Sequence, residues 1–245
     1  MIRVAAAGDL HVGVDSAGRL RPLLADLARD ADLFLLAGDL TQRGRPEEAK
    51  VLAAELDGLG VPTVAVLGNH DYHSDEQDAV AKVLEDAGIT VLEGTAVVVQ
   101  VGDRRVGVAG TKGFGGGFAG ASGSDFGEPE MKAFVRQTRR LARGLERALA
   151  ALRADRRIAL LHYAPVAETL AGEPREIYPF LRSYLLAEAI DRSGADLVLH
   201  GHAHRGSPSG MTPGGVPVRN VAVAVIGCAY QVFHFDSDDA SSGAR

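Results

Sequence analysis

Tryptophan is absent and cysteine occurs once, as Cys228. A lone thiol closes no internal disulfide and builds no thiolate cluster, so the chain suits a reducing compartment. Any metal must then be held by nitrogen and oxygen. Long apolar runs are missing as well: the longest, 221–230, is about half the ~20 residues of a membrane span. No secretory hydrophobic region develops before Gly8-Asp9. Lysine is scarce, with only Lys50, Lys82, Lys112 and Lys132 among the basic residues; the arginine bias reads as genome composition. Twenty-six basic against thirty-two acidic side chains leave a net charge of −6. That balance lacks the positive field needed to coat duplex nucleic acid or anionic lipid. These absences predict a soluble, cytoplasmic protein with neither a membrane nor nucleic acid as partner. They set no oligomeric state.

What is present is enough for a core. Residues of hydrophobic type make up 46% of the 245, which suits one large domain or two small ones. Strand-like runs at 2–7, 32–37 and 61–67 alternate with helical patterns at 20–28, 46–56 and 75–87. Such an order implies a mainly parallel sheet with helices on its faces. A hairpin at 95–101 and 104–109 then introduces antiparallel pairing, followed by a glycine-rich loop at 110–127 and a long helix at 128–154. Strands are expected at 158–161, 196–199, 216–219, 221–226 and 230–235, with a helix at 179–191. No interdomain linker is evident, so 1–235 reads as one domain with two sheets. The polar stretch 236–245 reads as a disordered tail.

Five polar segments sit immediately after predicted strands. They are Gly8-Asp9-Leu10-His11, Gly38-Asp39, Gly68-Asn69-His70-Asp71, His162 and Gly201-His202-Ala203-His204. Strand ends at the carboxyl edge of a parallel sheet converge on one crevice, where α/β folds place ligands. Asp-x-His and His-x-His on extended chain send both side chains to one side. Taken singly, Gly-Asp is a turn, Asn69-His70-Asp71 is cap chemistry, and His162 is a satisfied buried histidine. Together, two carboxylates, an amide and several imidazoles in one place are costly unless paired. Divalent metal ions resolve that cost, and the donor set suits Mn, Fe, Zn, Co or Ni rather than Ca.

This ordered set resembles the calcineurin-like metallophosphoesterase superfamily, whose pattern is D-x-H, G-D, G-N-H-D/E, H and G-H-x-H. All five blocks are complete from Asp9 to His204. The resemblance implies an α/β fold, a four-layer αββα sandwich of two mixed β-sheets flanked by helices. It also implies a binuclear centre of two divalent ions, with Mn or Fe favoured. By that similarity Asp9, His11 and His204 hold one ion, Asn69, His162 and His202 the other, and Asp39 bridges them. His70 matches the residue that contacts phosphate and protonates the leaving group, with Asp71 beside it as orienter. The implied chemistry is in-line attack on phosphorus by a hydroxide bridging the ions.

Some features depart from particular branches. Gln42 stands where purple acid phosphatases carry a metal-binding tyrosine, which favours two divalent ions over a charge-transfer Fe(III) centre. Gly38 to Gly44 is similar to the GDxxDRG block of Ser/Thr protein phosphatases, with Arg43 at its phosphate-binding arginine, although Asp71 replaces that branch's glutamate. Gly115 to Gly120 fits G-x-G-x-x-G, but more loop follows it instead of a helix, so a nicotinamide site is not expected. Lys112, Phe114 and Phe118 are candidates to line a substrate pocket, Tyr163 and 173–178 to shape its rim, and His200 to be structural. The expected activity is hydrolysis of a small phosphorylated substrate, first a phosphodiester such as a cyclic nucleotide. A phosphomonoesterase acting on a metabolite or phosphoprotein comes next, ahead of a nuclease or a non-catalytic scaffold.

Overall fold

Side chains alternate along β1 (Ile2–Ala7), so Ile2, Val4 and Ala6 enter one apolar layer while Ala5 and Ala7 enter another. That division recurs through the molecule, a computed structural model that describes residues 1–235. The tail expected at 236–245 lies outside the described residues.

After β1 come α1 (Leu27–Asp30), β2 (Leu33–Ala37), α2 (Pro46–Leu56), β3 (Thr63–Val66), α3 (Gln77–Asp86) and β4 (Thr90–Val91). The hairpin β5 (Thr95–Val101) and β6 (Arg104–Thr111) leads to α4 (Pro129–Ala151) and β7 (Arg156–Leu161). Then follow α5 (Tyr178–Leu181), α6 (Tyr184–Ser193), β8 (Leu197–His200), β9 (Ser209–Met211), β10 (Pro217–Asn220), α7 (Val223–Ile226) and β11 (Gln231–Phe235). One sheet runs β11-β1-β2-β3-β4 and the other β5-β6-β7-β8-β10-β9. In the first, β1 to β4 are parallel and β11 is antiparallel; in the second, β6, β7, β8 and β10 are parallel, with β5 and β9 antiparallel at the edges.

The two sheets face each other through Val4, Leu33, Leu35, Val64 and Val66 on one side and Val106, Val108, Ile158, Leu160 and Leu199 on the other. The outer face of the first sheet packs Phe34 and Leu36 against Leu52 of α2 and Leu84 of α3. The outer face of the second packs Ala159, Leu161 and Val198 against Leu145 and Leu149 of α4 and Ile190 of α6. These are the four layers expected. Each fully buried leucine contributes about 1.5–3 kcal/mol, so the strand ends are held on a rigid base.

Three readings of local structure need correction. The stretch 221–226 is not a strand: Val221 and Ala222 are buried, and the chain then turns into α7, capped by Gly227 at φ 66°. The β-branched valines invited the strand reading, but a single bridge from Gly8 to Ala222 replaces a ladder. The helix expected at 179–191 breaks at Arg182 and Ser183, both extended. The Arg182 carbonyl there accepts the backbone N–H groups of Gly116 and Gly117, a contact from far along the chain. The helical pattern at 20–28 forms only short turns at Arg21–Leu24 and Leu27–Asp30.

Candidate metal centre

β1, β2, β3, β7 and β8 end on one side of the sandwich, and each hands its polar segment to the same crevice. Two groups of donor atoms result. Asp9, His11, Asp39 and His204 form one, Asp39, His162 and His202 the other, with the donor atoms of each group within 4.8 Å of one another. Asp39 belongs to both. Its Oδ1 lies 3.3 Å from His162 Nε2 and its Oδ2 lies 3.8 Å from His11 Nε2. Asn69 joins the second group through Oδ1, 2.9 Å from His162 Nε2.

The backbone is bent to achieve this. Among the described residues, five other than glycine have positive φ, and Asp9 (61°), His11 (46°), Asp39 (49°) and His202 (71°) are four of them. Left-handed backbone at non-glycine residues costs energy and clusters where function requires it. Glycines supply the remaining room. A Cβ on Gly201 would collide with Asp9 Oδ2, and one on Gly68 with Asp39 Oδ1. The glycine beside one donor therefore makes space for another.

Hydrogen bonds leave the donors aimed inward. The Ala37 carbonyl accepts His162 Nδ1–H at 2.9 Å, which leaves the Nε2 lone pair facing Asn69 Oδ1 and Asp39 Oδ1. Lone pairs turned on one another need a cation between them. His11 Nε2 and His202 Nε2 are buried without any hydrogen-bond partner, a cost a metal ion removes. Burial pulls the His202 and His11 imidazoles below the usual histidine range, keeping both neutral and ready to ligate. The Asp9 hydrogen bond raises His204, 2.8 Å away. Burial alone would lift the Asp9 carboxyl, but His204 and the His202 N–H hold it below its ordinary value. The residues present fit two nitrogen- and oxygen-bound divalent ions.

His70 stands at the open edge, with its side chain 44% exposed. Its Nδ1 meets the Gln42 carbonyl at 2.8 Å, its backbone N–H donates to Asp39 Oδ1, and its ring lies 4.4 Å from that of His11. Asp71 does not touch the imidazole, contrary to the orienting contact expected. It is wholly buried and accepts from the N–H groups of Leu40, Thr41 and Gly68 and from the Thr41 hydroxyl. Burial pushes its carboxyl up, against those hydrogen bonds. Asp71 thus staples the loop after β2 to the loop after β3, fixing Asp39, Asn69 and His70 as a set, while Gln42 supplies the orienting carbonyl.

Arg43 is exposed beside Gln42, its backbone tied to Glu48 and Ser74. Lys112 is buried under the rings of Tyr72, Phe114 and Tyr163, and burial lowers its ammonium pKa. Tyr163 lies against the His202 ring at 4.2 Å; its place directly after His162 was the one sequence signal for it. Phe118 does not join this group: it stacks on Tyr178 and lies under Arg182. The loop carrying it is pinned to 178–183, and no helix begins between the end of β6 and Pro129, unlike a dinucleotide site.

Residues 2–206 match the calcineurin-like phosphoesterase family. A curated relative from Synechococcus sp., named "Probable cyclic nucleotide phosphodiesterase", is 36% identical over 80 residues. That match spans 29% of this chain and 31% of the relative's length. The solved structure of phosphopantetheinyl hydrolase from Mycobacterium tuberculosis shares the fold, with a TM-score of 0.70 at 15% identity over 98% of each chain. TT1561 of Thermus thermophilus is similar at 0.53 and 19% identity, over 89% of this chain and 88% of that one.

Proposed function

The chain belongs to the calcineurin-like phosphoesterase family, and from that premise we propose that it hydrolyses a small phosphodiester, a cyclic nucleotide first among them. The observation that carries the metal-dependent part is Asp39, shared by two donor groups that contain the unpartnered nitrogens of His11 and His202. In this reading Asp9, His11 and His204 hold one divalent ion, Asn69, His162 and His202 the second, and Asp39 both. Manganese or iron(II) suits such mixed imidazole, amide and carboxylate donors. Ions held there acidify water and offset phosphoryl charge. The similarity to the Synechococcus relative favours the diester over other phosphoesters. The lone Cys228 is in keeping with a cytoplasmic setting; among the described residues no helix is long and apolar enough to cross a membrane.

The chain's own residues then do the following. His70, with Nδ1–H held by the Gln42 carbonyl, presents Nε2 as the site of the proton it gives to the departing oxygen. Water adds its oxygen to phosphorus, the P–O bond to the alcohol breaks, His70 protonates the departing oxygen, and the proton given up by the water restores His70. With a cyclic diester the freed hydroxyl stays on the product. Asp71 keeps the two loops in register so that His70 and Asp39 stay fixed to each other. In this reading the exposed Arg43, on the loop that carries Gln42, is the arginine that meets phosphate from outside.

The test is a panel of cyclic nucleotides, linear diesters and phosphomonoesters assayed with added Mn²⁺. Cyclic diesters should give the highest kcat/KM. Preferred turnover of monoesters would replace the diester reading, and no turnover of any ester by metal-loaded protein would remove the function altogether.

A further inference from the structure

Lys112 has a setting that ordinary structural lysines lack. The residue is only 6% exposed, and its Nζ lies 4.7 Å from the centre of the Tyr72 ring, 5.1 Å from Phe114 and 5.3 Å from Tyr163. An ammonium has three donors. Among the described residues none of them finds a hydrogen-bond acceptor or a carboxylate within ion-pair distance, and the charges of Glu93 and Asp39 act on the ammonium only from further away. The nearby carboxylate of Glu93 is already engaged by the Thr111 hydroxyl and the Lys112 backbone N–H. Three aromatic faces offset part of the cost of burying the charge, but they accept no hydrogen bond. Nζ is not sealed, since it is not among the buried polar atoms without partners.

The cage also fixes where the missing acceptor must come from. Tyr163 follows His162 and lies against His202, and Tyr72 comes two residues after His70. The rings that hold the ammonium are therefore attached to both sides of the donor cluster. The charge of Asp39, the carboxylate shared by both donor groups, acts on Lys112, so the ammonium borders the crevice.

Resting on the hydrolase reading above, we propose that Lys112 is the fixed cation that hydrogen-bonds a non-bridging phosphoryl oxygen of substrate and product. A charge that does not leave with the metal has a consequence for specificity. A diester carries one negative charge, whereas a monoester or inorganic phosphate carries roughly 1.5 to 2 near neutral pH. Lys112 therefore holds the product of diester hydrolysis more tightly than the substrate. It builds product inhibition into the site.

The scarcity of lysine makes the test direct. Full-length protein labelled with [ε-¹³C]lysine and loaded with Zn²⁺ should give four lysine signals, from Lys50, Lys82, Lys112 and Lys132. The Lys112 signal is identified by its loss in Lys112→Met and by the upfield shift that three ring faces impose. Titration with inorganic phosphate should move that signal and leave the other three in place. Lys112→Met puts an apolar chain of similar length among the same rings, so folding and metal content should hold. Losing one charge-assisted hydrogen bond should raise the inhibition constant for phosphate by roughly ten- to a hundredfold. The KM for a cyclic diester should rise several times less.

A Lys112 signal indifferent to saturating phosphate would overturn the proposal. So would an equal change in both constants, which is what a merely structural lysine would give. The two readings fail separately: an active enzyme with an indifferent Lys112 removes only this proposal. A responsive Lys112 in metal-loaded protein that hydrolyses nothing supports the anion contact and removes the hydrolase reading.

Discussion

Acid should weaken this protein in part through His200, a histidine that lies outside both donor groups. It closes β8, is wholly buried, and has Nδ1 2.7 Å from the Gly201 carbonyl and Nε2 2.9 Å from the Thr169 hydroxyl. Burial pushes its pKa down to about 4, with the Gly201 hydrogen bond and the Asp9 charge opposing. In the unfolded chain the same group titrates near 6.5. The unfolded state therefore takes up the proton first. The stability contributed by neutral His200 is intact above about pH 6.5 and is lost as pH falls toward 4. Linkage gives a loss of about 2 kcal/mol by pH 5.0, reaching about 3 kcal/mol at pH 4. Urea unfolding of chelator-treated protein at pH 7.5 and 5.0 measures it, comparing wild type with His200→Gln, whose amide makes hydrogen bonds but does not titrate. All other titrating groups are common to both proteins, so the difference in pH dependence isolates His200. Wild type should lose about 2 kcal/mol more than the variant over that interval. Parallel losses would show that the imidazole titrates normally where it stands, and the desolvation argument would fail.

Three further outcomes follow from the crevice. His70→Ala should cost about 10²–10⁴-fold with alkyl or nucleoside esters and much less with a nitrophenyl ester, at unchanged metal content; equal losses across leaving groups would remove the acid role. Because a neutral amide is a weaker ligand than a carboxylate, stepwise chelation should release the ion of Asn69, His162 and His202 first, and release of both ions at one affinity would contradict that asymmetry. Gly201→Ala drives a methyl group into Asp9 Oδ2, which the His202 N–H and His204 prevent from moving aside. Overpacking of this kind costs about 1–3 kcal/mol, and metal analysis should show the Asp9, His11, His204 ion depleted while the other is kept.

Much of this was legible in the sequence because strand periodicity and strand-end chemistry are local signals. The runs ending at Ala7, Ala37, Val66, Leu161 and His200 announced themselves by apolar content, and their polar successors by type. What escaped depends on contacts distant in sequence. Asp71 looked like a partner for its neighbour His70, yet its acceptor capacity is filled by Leu40 and Thr41, some thirty residues away. Gln42 acts through its carbonyl, which no side-chain pattern reveals. The positive φ at Asp9, His11, Asp39 and His202 is equally invisible, since glycine is the usual marker of that conformation. The aromatic cage of Lys112 draws its rings from the segments after β3, β6 and β7, and only the packing of the two sheets brings them together.

The central claim is that Asp39 joins two ions into one hydrolytic centre. Elemental analysis of purified chain, alongside activity against a cyclic diester, tests it most directly. Wild type should bind two divalent ions, with activity rising on the second equivalent. Asp39→Ala should lose both ions and all measurable turnover, while His11→Ala should mainly weaken one. If Asp39→Ala and His11→Ala each lost the same single ion and kept equal activity, Asp39 would not be shared, and the binuclear account would be wrong.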